Sequence, residues 1–160
     1  MKKSIIFVTI VLLIFGLVAC DPADYFYPYD ELKENVKTIE LINYNNTEAK
    51  KLFEKRDGVL PFDFEKMEVV EVLAAEKTDD FLQALSQIQF HMTWVHSDSP
   101  HGMCIRIMYE NDDFEIISAY VDYGYVGSFD AGGNVKRFIG NCPTRQNITD
   151  IINKYFETQI

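Results

Sequence analysis

Apolar positions along this chain recur with two periods, near 3.6 and 2.0 residues, and the switches between them mark out its elements. Ile148, Ile151, Ile152, Tyr155 and Phe156 fall one helical turn apart, which predicts a helix over residues 144–156 opened by Pro143 and Thr144. Phe81, Ala84, Leu85 and Ile88 line one face of a second predicted helix over 78–90, with Asp79 and Asp80 at the positive end of its dipole. Ala49, Leu52 and Phe53 share a face of a shorter one between Thr47, a capping residue, and Gly58.

The remaining apolar runs read as strands. Residues 36–44 are rich in Val, Ile, Leu and Tyr. Residues 67–75 are apolar at both odd and even positions, the pattern of an interior strand covered on both faces. Met103, Ile105, Ile107 and Tyr109 alternate with Cys104, Arg106, Met108 and Glu110, and Asn111-Asp112-Asp113 turns that strand back into 114–121. Strands over 125–129 and 135–139, joined through Asp130-Ala131-Gly132-Gly133-Asn134, complete an antiparallel meander within residues 102–140. This order lacks the strict alternation that builds a parallel sheet. It predicts a single α+β domain, an antiparallel sheet with two or three helices packed mainly on one face.

The N-terminus follows a different rule. Lys2 and Lys3 precede an apolar run from Ile5 to Val18 that is too short to span a bilayer comfortably and has the layout of an export signal. It ends in Leu17-Val18-Ala19-Cys20, which resembles the lipobox of bacterial lipoprotein precursors. The resemblance is confined to the first 20 residues. It implies a signal peptide over 1–19, cleavage before Cys20, and diacylglycerol and acyl chains such as palmitate on that cysteine, an anchor that two chains make stable where one does not. It also implies a cell-membrane location facing outside the cytoplasm. Residues 20–35 then form a linker rich in aromatics and proline, and 36–160 the domain. Tyr25, Phe26, Tyr27 and Tyr29 are costly to leave in water, so part of this linker is expected to pack on the domain or on a partner.

Charge narrows the partners. The chain carries 15 basic and 25 acidic residues. Loss of Lys2 and Lys3 with the signal leaves 13 against 25, a formal charge of −12. Such a surface repels nucleic acid and anionic headgroups alike, which leaves the lipid anchor as the membrane contact and a basic protein or peptide as the soluble partner it attracts. Asp112, Asp113 and Glu115, around the meander's first turn, are candidate contacts for such a partner, as are Tyr25, Tyr27 and Tyr29.

Candidate chemistry is sparse. His91, His96 and His101 fall within eleven residues, with Asp98 between them and Cys104 just beyond, and are candidate metal ligands, although the spacing matches no established motif. Cys104 and Cys142 are open to a disulfide or to two separate thiols. His96-Ser97-Asp98-Ser99 contains the residue types of a hydrolase triad without the nucleophile elbow. The glycines at 124, 127, 132 and 133 sit in no phosphate-loop context, so neither a nucleotide nor another cofactor is expected. The sequence therefore reads as a lipid-anchored envelope protein with a non-catalytic binding domain for a protein or peptide. The alternative is a small envelope enzyme or metal-handling protein built on the three histidines.

Overall fold

The structure, a computed structural model, describes residues 24–45, 61–91, 100–120, 123–142 and 145–160. Eight strands form one antiparallel sheet: β1 (Asp24–Tyr25), β2 (Val36–Tyr44), β3 (Met67–Val72), β4 (Phe90–His91), β5 (Gly102–Tyr109), β6 (Phe114–Tyr120), β7 (Tyr123–Phe129) and β8 (Val135–Cys142). Their order across the sheet is β1-β4-β8-β7-β6-β5-β2-β3. Among the described residues three α-helices accompany it: α1 (Tyr29–Asn35), α2 (Thr78–Leu85) and α3 (Arg145–Tyr155). The α+β class and the meander β5-β6-β7-β8 are those the apolar periods predict. The helix expected over 47–58 lies outside the described residues.

All three helices cover the same face. Leu32 of α1, Phe81, Leu82 and Leu85 of α2, and Ile148, Ile151 and Ile152 of α3 pack onto Ile39, Leu41, Ile105, Ile107, Ile117 and Val126 of the sheet. A polar network ties the helices to one another above this core. The Tyr29 hydroxyl donates to Asp79 at 2.6 Å and Lys33 pairs with the same carboxylate at 2.9 Å, linking α1 to α2. The Tyr155 hydroxyl donates to Asp80 at 2.8 Å, linking α3 to α2.

The opposite face holds a second core, which one-sided alternation does not predict. Ile42, Tyr44, Cys104, Phe114, Ile116 and Phe129 are buried there, and Phe62 closes over them, stacked on Tyr44 at 4.4 Å. Its approach depends on the turn between β7 and β8. Gly133 adopts φ +83, and a Cβ at that position would meet the Phe62 carbonyl oxygen at 2.6 Å. Beside this core Arg106 Nε donates to Glu40 Oε2 at 2.7 Å, and Nη2 donates to the same oxygen. The fork offsets the cost of withdrawing two charges from water on adjacent strands.

The structure gives the linker its packing and corrects the place of one strand. Residues 24–35 of the segment read as a linker belong to the fold: Tyr27 is 2% exposed and meets Phe90 edge-on at 5.4 Å, and residues 29–35 form α1. Tyr27 is thereby removed from water, the expected outcome for an aromatic in such a segment. Residues 67–72, read as an interior strand, form the outer strand of the sheet instead, and Val69, Val70 and Val72 remain 42%, 40% and 54% exposed. Among the described residues no strand covers this edge.

Candidate functional site

At the tip of the hairpin between β5 and β6 both aspartates are ion-paired. Lys37 reaches Asp112 at 2.7 Å and Lys136 reaches Asp113 at 2.6 Å. Lys136 and, secondarily, the Asn111 amide hold the Asp113 carboxyl below its ordinary range, while Asp112 raises Lys37. Glu115 is 6% exposed, on the helix-covered face opposite Ile107. The three acids proposed as an unshielded contact are thus two ion-paired groups and one buried one. Asp113 and Glu115 line a shallow hollow of about 400 Å³ between α1 and the hairpin, with Leu32 and Tyr109 as its apolar walls.

The aromatic candidates are also engaged. Tyr27 lies in the core and Tyr29 binds Asp79, so neither side chain presents a free ring, while Tyr25 contributes the backbone of β1. Phe26 is the ring of this segment that stays half exposed.

Cys104 is a free thiol with no exposed surface. Burial pushes its pKa far up, against smaller downward pulls from the His101 backbone and Ser118. A protonated, enclosed thiol is neither nucleophile nor metal ligand. Cys142 lies in β8, three strands away in the order β8-β7-β6-β5, or about 14 Å at 4.8 Å per strand. That exceeds the reach of a disulfide, and the Cys104–Cys142 bridge is not formed. Of the histidine cluster, His96 and Asp98 lie outside the described residues, His91 contributes the backbone of β4, and His101 precedes β5. Among the described residues no group of three or more His, Cys, Asp or Glu is placed to hold a metal ion.

What the structure brings out is the outer edge of β3. Antiparallel partners alternate between pairs that exchange backbone hydrogen bonds and pairs whose polar groups point away. The Asn45 amide donates to the Lys66 carbonyl at 3.0 Å, so Lys66 and Glu68 face β2, whereas Val69 directs N–H and C=O outward and Met67 its C=O, the Met67 N–H donating to the Phe64 carbonyl. The register slips between Leu41 and Ile42, with Val70 as the extra residue. Beyond the slip the Leu73 amide donates to the Ile39 carbonyl at 2.8 Å, so Leu73 faces β2 and Val72 faces outward. Among the described residues no strand pairs with this side.

A hollow of about 530 Å³ adjoins the edge, lined by Val70, Val72, Ala74, Lys77 and Thr158 among others. Glu71 forms its inner wall. The Glu71 carboxylate accepts the backbone N–H groups of Glu157 and Thr158 at 3.0 and 3.1 Å. Burial raises its pKa, but these bonds and Lys77 together outweigh burial and hold it low. The bulge makes this clamp geometrically available. Glu68 and Glu71, three apart, would lie on opposite faces of a regular strand, and the extra residue returns both to the helix side, opposite Asn43 and Leu41. The doublet Val69-Val70 between two glutamates is the sequence signal for this break.

Compared with known proteins, the chain matches no family, no curated protein and no solved structure. Among the described residues no helix is long and apolar enough to cross a membrane.

Proposed function

We propose that the protein is exported, cut before Cys20 and held by lipid on that cysteine at the outer face of a cell membrane. There its α+β domain acts as a non-catalytic binding module for a protein or peptide partner. The observation that carries the reading is Leu17-Val18-Ala19-Cys20 closing a basic-then-apolar N-terminus.

Topology supports it. β1 starts at Asp24, four residues after Cys20, a reach of about 14 Å. A lipid on Cys20 therefore holds the β1 side of the sheet near the bilayer. β3 stands at the other end of the strand order, seven spacings or about 34 Å along the sheet. The anchor and the open edge thus lie on opposite sides of the domain, an arrangement suited to presenting that edge away from the membrane. The domain's own negative charge keeps it off anionic headgroups.

Two measurements test this. Replacement Cys20→Ala should abolish incorporation of labelled palmitate and leave the uncut precursor. Normal maturation and unchanged membrane retention in that variant would contradict the anchor. For the binding role, partners cross-linked to the intact protein on its membrane should associate more slowly as salt rises, since a Debye length of about 8 Å at physiological ionic strength screens the acidic domain. A protein that cross-links to nothing would contradict it.

A further inference from the structure

We infer that the outer edge of β3 receives an extended segment of a basic partner protein, which joins the sheet as an additional strand beside Met67, Val69 and Val72. The inference rests on the binding role proposed above and gives that role a surface and a chemistry.

Three features of the edge select the occupant. The outward C=O of Met67 and the outward N–H and C=O groups of Val69 and Val72 are the hydrogen-bonding row that an extended backbone satisfies, the Met67 N–H being held by the Phe64 carbonyl. Val69 and Val72 share the sheet face opposite the helices, by their register with Ile42 and Glu40, and their exposed side chains give apolar contact to alternate residues of an added strand. The charge around them is predominantly acidic. Glu65 and Glu76 flank the strand at its two ends, and Glu68 and Glu157 stand beside it, all four exposed and in no ion pair among the described residues. The nearby cations are engaged, Lys66 with Asp63 at 3.5 Å and Lys77 with the Tyr155 carbonyl at 3.1 Å. A segment with apolar residues on one side and Lys or Arg among the rest complements this rim.

The same charges argue against a second copy of the chain. Antiparallel pairing of β3 with β3 about the middle of the strand brings Glu68 of each chain close to Glu71 of the other, and like charges across a strand pair repel. Acids and a bulge on an edge strand are the usual guards against self-pairing, and neither bars a basic segment.

The test uses the intact lipidated protein in detergent micelles and a synthetic peptide of alternating lysine and valine, about ten residues long so as to span the strand. Amide exchange is read residue by residue. The peptide should slow exchange at Val69 and Val72, bind more weakly as salt rises, and have no counterpart in a glutamate-valine peptide. Val69→Pro removes an outward N–H and no bond to β2, so binding should fall about tenfold. The double variant Val69→Lys with Val72→Lys, which touches only exposed side chains, should lose binding as well and covers the case in which the proline variant fails to fold.

Slow exchange at these amides in the protein alone would mean that its own chain already covers the edge, and would overturn the inference. So would a concentration-dependent dimer that Val69→Pro dissociates, or peptide protection confined to another element. If no peptide protects β3 while partners still cross-link to the anchored protein, the edge is excluded and the binding role stands. If partners also fail to cross-link, both fall.

Discussion

Glu71 holds the backbone amide of Glu157 through both carboxylate oxygens at 3.0 Å, fastening the chain beyond α3 to the outer strand of the sheet. The clamp makes a pH-dependent contribution. Its folded-state pKa lies below the ordinary value, so the ionised form is the one folding favours. The contribution is complete above the unfolded pKa, about 4.3, and is lost as pH falls through the lower folded value. Glu71→Ala should cost about 1 kcal/mol at neutral pH, the low end for charge-assisted bonds because water reaches the site. Urea midpoints of the two proteins should converge as pH falls below the unfolded value of about 4.3. A difference that persists unchanged at the acid end would contradict the clamp.

Gly133 is fixed by two constraints at once, a positive φ and the Phe62 carbonyl at 2.6 Å from where a Cβ would stand. The Phe62 amide also donates to the Gly133 carbonyl at 2.7 Å, so the turn cannot back away without loosening the ring over the second core. Gly133→Ala should destabilise the domain by about 2 kcal/mol. Gly132→Ala is the control. Its nearest neighbours are side-chain atoms at 3.3 and 3.4 Å, and denaturant unfolding should place its cost well below that of its neighbour. Equal costs would mean that the contact with Phe62 does not govern this turn.

Cys104 should be inert. Its thiol is enclosed and its pKa displaced upward by burial, so at pH near 8 a disulfide reagent should modify it no faster than the protein unfolds, as located by peptide mass. Prompt labelling of Cys104 in the native protein would contradict its burial.

The parts of the fold set by local periodicity were readable from the chain. Ile148, Ile151, Ile152, Tyr155 and Phe156 are all buried, and the β5 alternation places Ile105 and Ile107 on the helix side as the pattern predicts. What escaped reading depends on partners distant in sequence. Arg106 reads as an outward-facing residue until Glu40, 66 positions earlier, is seen beside it. Tyr27 reads as linker because its burial is supplied by Phe90. Asp112 and Asp113 read as free charge because Lys37 and Lys136 arrive from other strands. The β3 run was misread for a different reason. An edge strand and a covered interior strand can share composition, and the place of β3 at the end of the sheet, set by pairing with β2, tells them apart.

The anchor is the claim on which the orientation of the open edge depends, and the mass of the intact protein extracted from membranes tests it most directly. The account predicts a chain beginning at Cys20 and carrying a diacylglycerol, with a mass below that of residues 1–160 by the nineteen-residue signal and above that of residues 20–160 by the lipid. A species that retains Met1, or one that begins at Cys20 with an unmodified thiol, would contradict it.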